Sequence, residues 1–308
     1  MAVNGTEVSC VEETIECNTL WNGILVSLNT VSVLLNTLHM FVLKKIPEIR
    51  NRNYFWILLN LNLVDTAVAI SFAISTSCIT PWLQHIGYGT ILNAGLLVGI
   101  ESSTLCRYFQ LTLASLDRYY AVCRPFEYAD SRVMNNVGKL SLLGWAANIL
   151  PAVLQVLVFP YAVCIGPLGP FLKNYKHKVY FLLWSALNML LPSIATAIFL
   201  TKTIRELKRM QKRSTSMTED DKEVKSTTKY IIVTSALFYS TVIPLVLLIL
   251  MRTNLNRYTV DFMYRFVGLC ASLYGIANVV LFGIFNPAYV DQIKGLFGFC
   301  RVTRVEPL

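Results

Sequence analysis

Long stretches without an ionised side chain constrain this sequence more than any other feature. Asp, Glu, Lys and Arg are absent from Cys17 to Leu43, Asn53 to Val64, Thr66 to Ile100, Leu140 to Leu172, Val179 to Thr201, Tyr230 to Met251 and Phe266 to Val290. A helix needs about 20 mainly apolar residues to cross the hydrocarbon core of a bilayer. Joining the second run across Asp65, and adding the segment from about Leu92 to Tyr119 with its Glu101 and Arg107, gives seven crossings. Only 15% of the 308 residues are charged and the mean hydropathy is +0.52, which excludes an ordinary soluble domain. The expected fold is an all-α membrane protein, a seven-transmembrane helix bundle followed by a short amphipathic eighth helix.

Lys and Arg set the expected orientation. The amino-terminal tail has none before the first crossing, and two outer connections hold six: Lys173, Lys176, Lys178, Arg252, Arg257 and Arg265. The opposite side holds sixteen: four between Lys44 and Arg52, three between Arg124 and Lys139, and nine between Lys202 and Lys229. Positive residues stay inside, so the amino terminus is expected outside the cell. The net charge of +9 thus follows from topology, and nucleic acid is not an expected partner. Residues 1–20 divide off as an extracellular tail, 21–286 as the bundle, and 287–308 as the amphipathic helix and cytoplasmic tail. The tail lacks the basic start and apolar core of a cleavable signal, leaving the first crossing to direct insertion. It carries a glycosylation sequon at Asn4-Gly5-Thr6 and four acids, which suit either a solvated tail or a lid over a ligand.

Three ionisable residues fall deep in the expected bundle: Asp65, Glu101 and Arg107. Such groups are costly in a bilayer and face partners in the bundle interior. Arg107 precedes the inner-end Arg118 by eleven residues, and Asp65 follows the start of its helix by about twelve. At the helical rise both lie roughly 17 Å from the inner surface, so an Asp65–Arg107 ion pair is expected. Glu101, nearly two turns further out, either lines a pocket open to the outside or complements Arg107.

The third crossing closes on Asp117-Arg118-Tyr119 within DRYYAVCRPFEY. Together with Asn36, Asp65, Trp145, Pro192, Phe238, Pro244 and Asn278, one or two to each crossing, this triplet resembles the rhodopsin-like G-protein-coupled receptors. The segment with Cys123, Pro125 and Tyr128, the stretch from Asn53 to Asp65 and the Leu237-Phe238-Tyr239 triplet are most similar to a fish-type odorant receptor or a close relative. The resemblance implies that Asp117 restrains Arg118 at rest. Arg118 then meets a heterotrimeric G protein when the sixth helix swings out. It also implies a long third inner loop from Lys202 to Lys229, with a candidate phosphorylation patch at Ser214-Thr215-Ser216.

Several positions depart from that family's pattern. Asn278-Val279-Val280-Leu281-Phe282 lacks the usual proline and tyrosine of the seventh helix, Leu200 replaces a tyrosine in the fifth, and Val242 a tryptophan in the sixth. Arg107 fills the usual sodium place beside Asp65, so sodium sensitivity is not expected, and Arg118 has fewer hydroxyls to restrain it. Asn93 stands where the common disulfide would begin, leaving Cys164 to seek Cys78, Cys10 or Cys17. Asn286-Pro287 should start the eighth helix, with asparagine capping and proline preset for the first turn. Cys300 beyond it is a palmitoylation candidate.

Family geometry implies a ligand site among the outer halves of the helices. Ile100, Glu101, Thr104, Trp184, Asn188, Leu245, Ile249, Tyr264 and Ser272 supply apolar walls with polar handles, and Lys178, Arg252 and Arg265 belong to a basic mouth. An anionic amphiphile suits that arrangement, although the same basic residues could instead meet lipid headgroups or the acidic tail. A transporter or proton-coupled carrier remains an alternative because of the intramembrane charges, as does a receptor-like protein that does not couple. Neither a catalytic constellation, a metal site nor a cofactor is expected.

Overall fold

A computed structural model describes residues 19–50, 54–77, 89–128, 130–158, 175–213, 219–251 and 257–296, and among them every regular element is helical. Seven long helices follow one another: α1 (Thr19–Lys45), α2 (Tyr54–Thr76), α3 (Gly89–Cys123), α4 (Val137–Val158), α5 (Tyr175–Arg213), α6 (Glu219–Met251) and α7 (Arg257–Phe285). An eighth, α8, spans Pro287–Leu296. In lipid the backbone must satisfy its own hydrogen bonds, and a helix does so within one segment. Considered singly, α1, α2, α4, α5 and α7 contain stretches long and apolar enough to cross a bilayer. α3 carries Glu101 and Arg107 within its length.

The arrangement is that of a bundle centred on α3, which packs against α2, α4, α5 and α6; α1 packs against α2, α7 and α8. Leu142, Leu150, Leu191 and Ile194 point outward on α4 and α5, an apolar periphery suited to acyl chains. Polar side chains face inward and join helices. The Trp145 indole donates to Asn60 Oδ1 at 3.1 Å, the Ser141 hydroxyl to Gln110 Oε1 at 3.1 Å, and Thr112 Oγ1 to the Pro192 carbonyl at 3.0 Å. In a medium that attracts apolar surfaces as well as another helix does, such bonds and close packing select the neighbours.

Two glycines permit the closest approaches. A Cβ on Gly144 would lie 2.3 Å from Phe109 Cδ1, and one on Gly275 2.5 Å from Ser32 Oγ. The second contact lets Asn36 Nδ2 reach the Gly275 carbonyl at 3.3 Å, bringing α1 against α7.

The inner connections are more helical than the sequence suggests. The expected third loop, Lys202 to Lys229, is instead α5 continuing to Arg213 and α6 beginning at Glu219. Its Lys, Arg, Glu, Gln and Met residues are good helix formers, and Arg209 bonds Glu206 at 3.3 Å one turn away. The Ser214-Thr215-Ser216 patch lies outside the described residues. Between α3 and α4 are single turns of helix at Pro125–Tyr128 and Arg132–Asn135; the second is capped by Ser131, whose hydroxyl accepts from Met134 N.

Asn286 caps α8, its side-chain oxygen accepting from Tyr289 N at 3.2 Å, and Pro287 supplies the first turn. Tyr289 is buried and Ile293 packs against the core, which seats α8 along the inner end of the bundle.

Candidate functional site

At the inner end of α3, Asp117 is fully buried and Arg118 nearly so. Arg118 Nε donates to Asp117 Oδ2 at 2.9 Å, and its Nη2 reaches the same oxygen. The other oxygen, Oδ1, accepts from the Tyr128 hydroxyl at 2.6 Å. The guanidinium also lies 4.6 Å from the centre of the Tyr54 ring, where the π face attracts a cation. A narrow cleft lined by Arg118, Ile49, Leu58, Glu223, Thr227 and Asn286 reaches it from the inner side. Tyr119 points elsewhere: it packs against Phe199 of α5 and accepts a 3.2 Å bond from Arg124 Nε. The consecutive residues of the triplet therefore occupy two environments.

Further into the bundle, Arg107 Nη2 of α3 meets Asp65 Oδ1 of α2, with both side chains almost fully buried. The other Asp65 oxygen accepts from Asn278 Nδ2 at 2.9 Å, and Asn278 Oδ1 accepts from the Tyr230 hydroxyl at 2.7 Å. The Arg107 guanidinium lies 4.7 Å from the Tyr274 ring and 5.6 Å from that of Phe238. A single buried pair thus touches side chains from α2, α3, α6 and α7. Pairing, the Asn278 hydrogen bond to Asp65 and the Tyr274 and Phe238 rings against Arg107 offset the burial of two charges at such depth.

A family model described as 7 transmembrane receptor (rhodopsin family) matches residues 35–281, which include both of these clusters. The chain belongs to that family. It is accordingly a multi-pass membrane receptor. A search of curated proteins finds no match to this receptor.

The residues expected around a ligand are only partly brought together. Ile100, Glu101 and Thr104 lie on the outer half of α3 and are half-buried, with Thr104 Oγ1 bonded to its own helix at the Ile100 carbonyl, 2.7 Å away. Glu101 has no ion-pair partner among the described residues. Ser272 is almost fully buried and donates to Asn29 Oδ1 of α1 at 2.8 Å. Arg265 likewise reaches α1, where Nη1 donates to Asn22 Oδ1 at 2.6 Å. Asn188 is half-buried on α5. The side chains of Lys178, Trp184, Leu245, Ile249 and Tyr264, and the whole of Arg252, lie outside the described residues, as do Asn4, Cys10, Cys17, Cys78, Cys164 and Cys300. Among the described residues no group of three His, Cys, Asp or Glu side chains could hold a metal.

Two functional contacts escaped the sequence reading. The Tyr128 hydroxyl donates to Asp117, beside Arg118, and the Tyr230 hydroxyl donates to Asn278, beside Asp65. Tyr230 heads a charge-free run, where an aromatic reads equally well as an interfacial anchor. Nothing in the linear spacing points it at Asn278.

Proposed function

We propose that this rhodopsin-family receptor is chemosensory, of the odorant-receptor type. It is displayed at the plasma membrane with its amino terminus outside, and binds a small anionic amphiphile to activate a heterotrimeric G protein. The observation that carries the coupling half is the buried Asp117–Arg118 pair at the inner end of α3. A cation held by a carboxylate and an aromatic ring, with a cleft beside it toward the inner face, can exchange that carboxylate for a docking helix once the bundle opens. Phe126, which is 95% exposed beside a groove of about 430 Å³ lined also by Tyr120, Glu127 and Arg132, gives a partner an apolar foothold next to the switch. Support for the ligand half comes from the excess of Lys and Arg in the outer connections and from DRYYAVCRPFEY.

The test is second-messenger output from cells displaying the receptor, challenged with anionic, neutral and cationic small-molecule pools beside an equally displayed Arg118→Ala variant. A response to the anionic pool that disappears in Arg118→Ala and weakens in Arg252→Ala is expected. A response confined to the cationic pool would overturn the anionic assignment and point to Glu101. Silence accompanied by solute uptake would favour a carrier.

A further inference from the structure

The inner half of α6 is anchored to the bundle where Ser226 donates to the Phe285 carbonyl of α7, and at two greater heights whose anchors both end on the same buried ion pair. Lower down, the Tyr230 hydroxyl bonds Asn278, which bonds Asp65. Two turns higher, Phe238 packs edge-on against Tyr108 and Tyr274, and Arg107 lies over its ring. We infer that Tyr230 is a latch, the one hydroxyl through which the Asp65–Arg107 pair holds the inner half of α6 against α7 in the closed bundle.

Three observations carry this beyond ordinary packing. Tyr230 is 1% exposed and its hydroxyl reaches across the helix interface to the only side chain that also bonds Asp65 among the described residues apart from Arg107. Asp65 is thereby tied to α3 and α7 directly and to α6 only through Asn278, so Tyr230 is the side chain of α6 that joins its hydrogen-bond network. Finally, the next turn of α6 carries Ser235, also 1% exposed, whose hydroxyl has no hydrogen-bond partner among the described residues. The closed position therefore leaves a buried hydroxyl on α6 without a partner among the described residues, while neutral hydrogen bonds, from Tyr230 to Asn278 and from Ser226 to the Phe285 carbonyl, hold the helix to α7, a balance that a small rotation of α6 can reverse. The latch itself stands on this geometry, whereas its effect on signalling rests on the coupling reading above.

The experiment places spin labels at Lys139→Cys, at the inner start of α4, and Lys225→Cys, on the inner end of α6, in full-length receptor with its other accessible cysteines replaced. Distance distributions are recorded in lipid nanodiscs without ligand, and ligand-free second-messenger output is measured in cells at matched display. Losing one neutral hydrogen bond shifts a two-state ratio by about fivefold, so Tyr230→Phe should move that share of the closed distance to a longer one. Ser240→Ala, an exposed position on α6 whose hydroxyl bonds its own helix at the Leu237 carbonyl, should leave the distribution unchanged. A longer distance with raised output supports the latch and the coupling reading together. A longer distance with unchanged output supports the latch and removes the coupling reading. A Tyr230→Phe distribution equal to wild type, or one matched by Ser240→Ala, overturns the latch whatever the output.

Discussion

The Tyr128 hydroxyl donates a 2.6 Å hydrogen bond to Asp117 Oδ1 while Arg118 occupies Oδ2, so the inner connection after α3 and the arginine share one carboxylate. Two donors polarise and fix the Asp117 side chain, and a fixed carboxylate is the better restraint on Arg118. Hydrogen bonds to a charged group contribute about 1.5–3 kcal/mol. Tyr128→Phe should therefore loosen Asp117 without removing the ion pair, raising ligand-free second-messenger output at matched surface display. Output equal to wild type would take Tyr128 out of the switch.

Gly144 brings α4 against the Phe109 ring of α3, so close that a methyl group in its place would lie only 2.3 Å from Cδ1. Overpacking of this kind costs about 1–3 kcal/mol. Gly144→Ala should lower the thermal midpoint of purified receptor, and the loss should shrink in a Phe109→Leu background, where a narrower side chain can yield. Equal losses in both backgrounds would mean that Phe109 is not the obstacle.

Ser272 separates a structural role from a ligand-binding one. Its hydroxyl serves Asn29 of α1, so Ser272→Ala should cost about 1 kcal/mol of stability. The concentration dependence of any ligand response should stay as it was. A displaced dose-response curve with unchanged thermal midpoint would assign Ser272 to the ligand site instead.

These cases mark what a linear reading can reach. Charge-free runs reveal the helices because the bilayer penalises ionised groups and unpaired backbone alike, and the fixed rise per residue gives Asp65 and Arg107 a common depth. The direction a side chain takes about its helix axis is another matter. In α7 the spacing of polar residues does not tell that Ser272 faces α1 while Asn278 faces α2 and α6. The continuation of α5 to Arg213 was hidden for a different reason. Charged residues beyond a crossing read as a loop, yet Lys, Arg, Glu and Gln also favour helix once a membrane helix has nucleated it.

The Asp65–Arg107 pair gives the sharpest test of the core. Removing one member of a buried pair leaves the other charged in a medium that cannot solvate it, at a cost of about 3–5 kcal/mol. Arg107→Met should therefore reduce surface display and lower the thermal midpoint, and Asp65→Ala should do the same. Asp65→Asn combined with Arg107→Met removes both charges, keeps an amide beside Asn278, and puts an unbranched apolar side chain between the Tyr274 and Phe238 rings. Pairs replaced this way are often as stable as the originals, so the double variant should recover most of the midpoint lost by either single one. Losses that simply add would mean that Asp65 and Arg107 are satisfied independently, and the pair would no longer explain how two charges persist at that depth.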